Sequence, residues 1–526
     1  MELKLENLDQ ILEKVDKGPK YDVKKLREES IKDPKWLAFG SGNIFRGFIA
    51  RVNQDAINAG KEDRGISVVE TFDEEIIEKI YKPYDNLALS VTLHKDGNFD
   101  TNLIANLVEA LTLKDMTRIK EIATNPNLEL MSFTITEKGY NLYGSDGNLM
   151  GVVREDLENG PETSKHLMSI VTALLNLRYK ENGKALTLLS MDNASHNGDL
   201  VKNSVMLIAK AWLEKGFVEE GFIKYLEEKI AFPLSMIDKI TPRPSEDVQK
   251  HLEDEGFSRM ETVITEKGSY IAGFVNSEEA EYLVIEDNFT NGRPAFEEGG
   301  VYMADRETVN KVETMKVTTC LNPLHTVLAT YGCILGHAKI SEEMEDVELV
   351  KLIKKIGYDE GLKVVVDPGI INPKDFIDEV INVRFPNKFM PDTPQRIATD
   401  TSQKIPVRFG ETIKGYMNDK NLDVADLKFI PLALAGWLRY LLGVNDEGEA
   451  FELSNDPMMD YLKESLEGIK VGDFKETDGL KELLRNEKIF GVNLEEVGLS
   501  EIVTKYFEEL SDGPGSVRAT LKKYLA

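Results

Sequence analysis

Cysteine is nearly missing from this chain of 526 residues, which has only Cys320 and Cys333. That excludes a disulfide framework and a cysteine-based zinc site. Histidine is scarce too: six scattered residues without HxxxH spacing offer no good metal centre, so no metal is expected. No run approaches the ~20 apolar residues of a membrane span. The opening Met1-Glu2-Leu3-Lys4-Leu5-Glu6 is too charged for a signal peptide, which makes the cytoplasm the expected address. Positive charge is in deficit, with 64 Lys and Arg against 92 Asp and Glu and a net charge of -28. Nucleic acid and anionic membrane both need a basic surface, so neither is expected as a partner. A local cationic pocket for a small anionic substrate stays open, and the sequence does not speak to oligomeric state.

What the chain does have is length enough for two large domains. The apolar Lys35-Trp36-Leu37-Ala38-Phe39 predicts a short buried strand. It runs directly into Gly40-Ser41-Gly42-Asn43-Ile44-Phe45-Arg46 and a helical pattern to about residue 59. Strand, glycine turn and helix is the context in which glycines let the backbone approach a pyrophosphate and a helix N-terminus offers it N–H groups. Phe45 stands where the third glycine of the usual fingerprint would be. The next strand, 65–69, ends in Glu70, placed to meet an adenosine ribose 2′-hydroxyl and repel a 2′-phosphate, which favours NAD over NADP.

Strands and helices then alternate. Strands are predicted at 87–93, 128–136 and 185–191, and helices at 104–123, 162–180 and 198–215. Short apolar strands separated by helices give an α/β fold, a doubly wound, Rossmann-like parallel sheet with ligands beyond the carboxyl ends of the strands. Two strand ends carry polar clusters, Thr136-Glu137-Lys138-Gly139-Tyr140 and Asp192-Asn193-Ala194-Ser195-His196-Asn197-Gly198. The proline-punctuated 232–244 reads as the domain boundary. It gives a nucleotide-binding domain over 1–240, with an N-terminal helical extension, and a second domain over 241–526. That second domain is mainly helical after a mixed stretch near 260–303, and 445–526 is an acidic helical tail, packed but with a solvated surface.

The stretch from Glu313 to His325 places Lys316, Asn322 and His325 within ten residues, among apolar neighbours. Burial disfavours a charged lysine, so such a side chain can take a proton from an alcohol near neutral pH. An asparagine NH2 and a histidine N–H can donate to an oxygen on which charge develops.

These motifs in order resemble the long-chain polyol-specific (mannitol) dehydrogenase family. The series is Tyr21-Asp22, Gly40-x-Gly42-Asn43-x-x-Arg46, Thr136-Glu137-x-Gly139-Tyr140 and Asp192-Asn193-x-x-His196-Asn197-Gly198. It continues with Phe232-Pro233 to Asp238-x-Ile240-Thr241-Pro242, Gly292-Arg293-Pro294, Lys316 to Leu321-Asn322-x-x-His325, and Arg396-Ile397-Ala398 leading to Lys404. The resemblance covers roughly 19–410 and implies metal-independent NAD chemistry on a carbinol. It implies cofactor contacts at Gly40, Gly42, Asn43, Ile44, Phe45, Arg46, Glu70, Thr136, Glu137 and Asn193. Lys316 matches the general acid/base, Asn193 and Asn322 the holders of the reacting oxygen, and His325 a substrate-orienting histidine. Glu313 matches a proton-relaying acid, and Asp238, Arg396 and Lys404 match substrate contacts. Arg384 and Arg408 add further cations to the same segment.

The wording Leu-Asn-Pro-Leu-His and the chain length are more similar to family members acting on sugar acids. These implications favour interconversion of D-mannonate and D-fructuronate, with tagaturonate and mannitol chemistry behind it. A non-catalytic NAD(H)-binding regulator is the rival from another class. One departure stands out: five residues separate Lys316 from Asn322 where the family has four. Either Asn322 caps a helix with Pro323 at its first position, or a π-bulge between Lys316 and Leu321 absorbs the extra residue.

Overall fold

Strand β1 (Trp36–Phe39) is buried at every position, and so are β2 (Ile66–Glu70), β6 (Leu130–Phe133) and β7 (Leu186–Ser190). Continuous apolar runs of this kind belong to parallel sheets covered on both faces. The computed structural model describes residues 1–526. With β5 (Leu107–Thr112) and β8 (Ile230–Ala231), these strands form one six-stranded sheet in the order β5-β2-β1-β6-β7-β8. Every pairing in it is parallel. Strand order reverses on either side of β1, which opens a crevice at the carboxyl ends of β1 and β6. One face of the sheet, including Leu37, Phe39, Met131, Phe133 and Leu188, packs into a single core with helices Met116–Ala123, Leu167–Glu181, Asn197–Glu214 and Glu220–Glu228. On the other face the Trp36 ring meets Phe296 edge-on at 5.6 Å.

Two expected elements change. The helix expected over 104–123 begins only at Met116, and its first part is β5. Leu, Glu and Ala in this segment favour a helix locally, but pairing with β2 overrides that weak preference. The strand near 87–93 does form, as β3 (Ala88–Leu93), but outside the main sheet. It pairs antiparallel with β4 (Phe99–Ile104) and parallel with β12 (Phe274–Glu278) in a separate three-stranded sheet.

The domain limits also move. The proline-flanked segment near 232–244 contains β9 (Ser235–Asp238), which pairs antiparallel with β13 (Tyr282–Glu286), itself parallel to β14 (Tyr302–Ala304). Its prolines bracket a strand instead of marking a linker. Together with the short pair β10 (Val263–Ile264) and β11 (Tyr270–Ile271), this region belongs to the first of two units, Met1–Asn310 and Lys311–Ala526. The expected division at 240 is therefore corrected to about 310.

The second unit is helical and built around Asn322–Leu335, whose side chains are buried on almost every side. Helix Phe429–Tyr440 packs against it: the Tyr331 hydroxyl donates to the Leu432 carbonyl at 2.8 Å, and Gly436 leaves room for the Tyr331 ring. The first amides of that second helix, at Lys428, Phe429 and Ile430, all donate to the buried carboxylate of Glu360, which satisfies its N-terminus. The acidic tail packs against the rest of this unit, as expected. Val503, Phe507 and Leu510 of helix Ser500–Leu510 are buried, and the Leu510 carbonyl accepts from the buried Arg439 guanidinium.

Candidate functional site

The glycine turn sits at the crevice of the parallel sheet. Gly40 has φ +96°, and a Cβ there would collide with the Thr134 carbonyl, so β1 and the segment after β6 close up only around glycine. At Gly42 a Cβ would meet nothing within 4 Å, so the turn faces open space in which a pyrophosphate can approach the backbone. Asn43 and Ile44 are partly exposed at the start of the following helix. These features fit a dinucleotide. Phe45 and Arg46, by contrast, turn inward. Phe45 fills core, and Arg46 donates to the Ala272 carbonyl at 2.9 Å and to the Asn43 side-chain oxygen at 3.0 Å. Their side chains build the turn.

Glu70 is tied into the same turn. One carboxylate oxygen accepts from the Ser41 amide at 3.0 Å and hydroxyl at 2.6 Å, and the other from the amides of Phe72 at 2.9 Å and Asp73 at 3.1 Å. Four donors fill a carboxylate's capacity. Glu70 holds the glycine turn in shape.

At the ends of β6 and β7 a second constellation forms around Asp192. Its carboxylate accepts from the amides of Ile135 at 2.8 Å and Thr136 at 3.0 Å and from the Tyr140 hydroxyl at 2.6 Å. Burial raises the Asp192 pKa against the pull of those three donors. Thr136 is held at φ +65°, ψ 161°, a region that side chains other than glycine's rarely enter, and it is exposed, as are Glu137 and Asn193. Strain of this kind persists where neighbouring structure imposes it, commonly beside a ligand site. Asp238, at the end of β9, is buried.

In the helical unit the extra residue after Lys316 is accounted for. Lys316–Cys320 is a π turn closed by the Leu321 amide donating to the Lys316 carbonyl at 3.1 Å. The α-helix resumes at Asn322 with Pro323 in its first turn, and Leu321 is the break between the two. The π-bulge alternative is therefore the one realised. Lys316 is buried, while Glu313, one turn earlier, is partly exposed.

His325 lies one turn beyond Asn322. Its Nε2 is buried without a hydrogen-bond partner, 3.5 Å from a carboxylate oxygen of Asp392. Burial, and then the positive charges of Arg408, Arg384, Arg396 and Lys404, push its pKa down to about 3, so the ring is neutral. Asp392 pairs through its other oxygen with Arg396. Lys404 donates to the carbonyls of Ile397 and Thr399, and its pKa is pushed down to about 8, chiefly by burial and next by Arg408. Lys316, Arg384 and Arg408 all lie in π segments, Lys316–Cys320, Val380–Arg384 and Pro406–Gly410, an irregularity that often accompanies function. Sequence reasoning missed Asp392. Its only signal is an (i, i+4) spacing before Arg396, which by itself is an ordinary surface pair.

Two domain models match the chain: the mannitol dehydrogenase Rossmann domain over residues 34–298 and the mannitol dehydrogenase C-terminal domain over 308–511. The chain belongs to the mannitol dehydrogenase family. Among similar family members, the D-mannonate oxidoreductase of Thermotoga maritima is 52% identical over 512 residues, covering 96% of this chain and 95% of that protein. The polyol:NADP oxidoreductase of Gluconobacter oxydans is 27% identical over 464 residues, covering 87% and 88%. A crystal structure of D-sorbitol dehydrogenase in substrate-free form aligns with TM-score 0.80 and 25% identity over 96% of this chain and 97% of that one. The Pseudomonas fluorescens mannitol 2-dehydrogenase in ternary complex with NAD and D-mannitol shares the fold, with TM-score 0.71, 24% identity and coverage of 100% and 99%. The two family segments meet near residue 300, close to the division between the compact units. No helix of this family member is long and apolar enough to cross a membrane.

Proposed function

We propose that this chain interconverts D-mannonate and D-fructuronate as an NAD-dependent oxidoreductase with a lysine acid/base. The reading rests above all on its 52% identity, over nearly the full length of both chains, to a D-mannonate oxidoreductase. The four cations around a neutral His325 agree with an anionic substrate. The two buried, unpaired cysteines agree with a cytoplasmic address.

NAD, when bound, supplies the hydride acceptor for the carbinol carbon, and the Gly40–Gly42 turn with the backbone of Asn43 and Ile44 is the proposed pyrophosphate cradle. Thr136 and Glu137 are the proposed contacts at the neighbouring strand end. In the oxidative direction Lys316 takes the hydroxyl proton, and Glu313 passes it towards water. The side-chain amides of Asn322 and Asn193 donate to the oxygen as it gains alkoxide character, where one well-placed donor is worth about 3 kcal/mol. His325 is the proposed substrate-orienting histidine, while Asp238, Arg396 and Lys404 hold the rest of the substrate.

The test is NADH consumption with D-fructuronate, D-tagaturonate and D-fructose. D-fructuronate is expected to be the best substrate, and Lys316→Ala to lower kcat by roughly 10²- to 10⁴-fold with the fold intact. Tight NADH binding without turnover of any of the three would favour a regulator and end this reading.

A further inference from the structure

Arg396 and Lys404 are the two cations the family resemblance assigns to substrate, yet the ring around His325 has four. Asp392 pairs with Arg396, and Asp400 and Asp456 act on Lys404. Arg408 has no carboxylate partner in the protein. It is partly buried, and burial alone pushes its pKa down to about 10. Its Nη1 donates to the Thr326 hydroxyl and, at 3.4 Å, to the Asn322 carbonyl, which fixes the guanidinium over the first turn of helix Asn322–Leu335. Its Nε and Nη2 have no protein acceptor and are not among the sealed, unsatisfied atoms. A guanidinium partly withdrawn from water without a counter-charge gains when a ligand supplies one.

We infer that Arg408 is the residue that selects a carboxylate-bearing substrate, its Nε–Nη2 edge receiving the acid group of a six-carbon sugar acid. The inference rests on the function proposed above and says which residue makes that substrate choice. Spacing supports it. Three residues of helix, from Asn322 to His325, rise roughly 4.5 Å. In D-fructuronate the carboxylate carbon lies four bonds from the ketone carbon, on the order of 5 Å when the chain is extended. With the reacting oxygen at the Asn322 amide, the acid group falls beside His325, inside the cation ring. The side-on edge of a guanidinium meets both oxygens of a carboxylate at once. A neutral ketose puts a hydroxymethyl group there and leaves Arg408 uncompensated, which is how a buried polar group rejects the wrong ligand.

The test compares kcat/KM for D-fructuronate and D-fructose in the wild type, Arg408→Met and Arg408→Lys, with NADH. Calorimetric titration of D-mannonate and D-mannitol gives the same acid-to-neutral ratio if D-fructose turnover is below detection. In Arg408→Met the ratio is expected to fall by roughly 30- to 100-fold, mostly through KM for the acid. In Arg408→Lys, which keeps the charge but loses the bidentate edge, it should fall by about 10-fold. The lysine variant decides the matter if the methionine variant does not fold. Equal losses on both substrates would show that Arg408 merely braces the helix, and an unchanged ratio would place acid recognition elsewhere. Either result overturns the inference while leaving the proposed function standing. A wild type that turns over neither uronate fails at the earlier step.

Discussion

The Leu321 amide reaches back five residues to the Lys316 carbonyl, and this one wide turn absorbs the residue that separates the chain from its family's spacing. Deleting Thr318, a partly exposed member of the turn, would restore a four-residue interval and let the segment close as regular helix with Lys316 in nearly the same place relative to Asn322. We expect kcat to stay within about 10-fold of the wild type with helical circular dichroism retained. A loss of about 100-fold or more in the deletion variant would mean that the π turn does more than absorb a residue and itself aims the lysine.

His325 gives the protein a pH-dependent stability of known sign. Its folded-state pKa, about 3, lies below the ordinary 6.5. Between those values the unfolded chain holds a proton that the folded protein does not, so stability is lost as pH falls through this window. The slope is at most about 1.4 kcal/mol per pH unit. Melting temperatures from about pH 6.5 down to pH 4 should therefore fall more steeply in the wild type than in His325→Gln. Parallel curves would contradict the assignment.

Glu70→Gln separates a turn-holding role from a ribose contact. An amide cannot accept from four donors, so the Ser41 amide and hydroxyl lose a partner, at a cost of about 1–3 kcal/mol. The melting temperature should drop by several degrees and NADH affinity should weaken, with the preference for NADH over NADPH little changed. A shifted cofactor preference without loss of stability would return Glu70 to the ribose.

Thr136→Gly tests the strained strand end. Glycine adopts φ +65° freely, and Thr136 is exposed, so little packing is lost. Relief of strain should exceed glycine's extra unfolded-state entropy by about 1 kcal/mol, read as a higher denaturant midpoint. Calorimetry should show weaker NADH binding in the same variant.

Much of this was legible in the sequence because it is local. The β1–Gly40–helix unit, helices Leu167–Glu181 and Asn197–Glu214 and the helical second unit all follow from periodicity and turn chemistry. What failed was non-local. β5 is made a strand by β2, and β9 joins the first unit through β13, and neither partner is visible within a short window. At the candidate site, residue types in the right order were readable, but inward rotation was not. Phe45 and Arg46 follow the glycine turn in sequence, and only the fold shows their side chains turned into the core. The π turn could be framed as one of two alternatives, and only the Leu321–Lys316 hydrogen bond chooses between them.

The Asp192 carboxyl group fastens the tips of two neighbouring sheet strands through three donors, with Thr136 on one tip and Asn193 next to it on the other. Those two positions consequently share a hinge-pin. A designer who wishes to re-aim one of them, whether to admit another dinucleotide or to shift where an oxygen is held, will move the other as well, so useful variants should be sought as pairs.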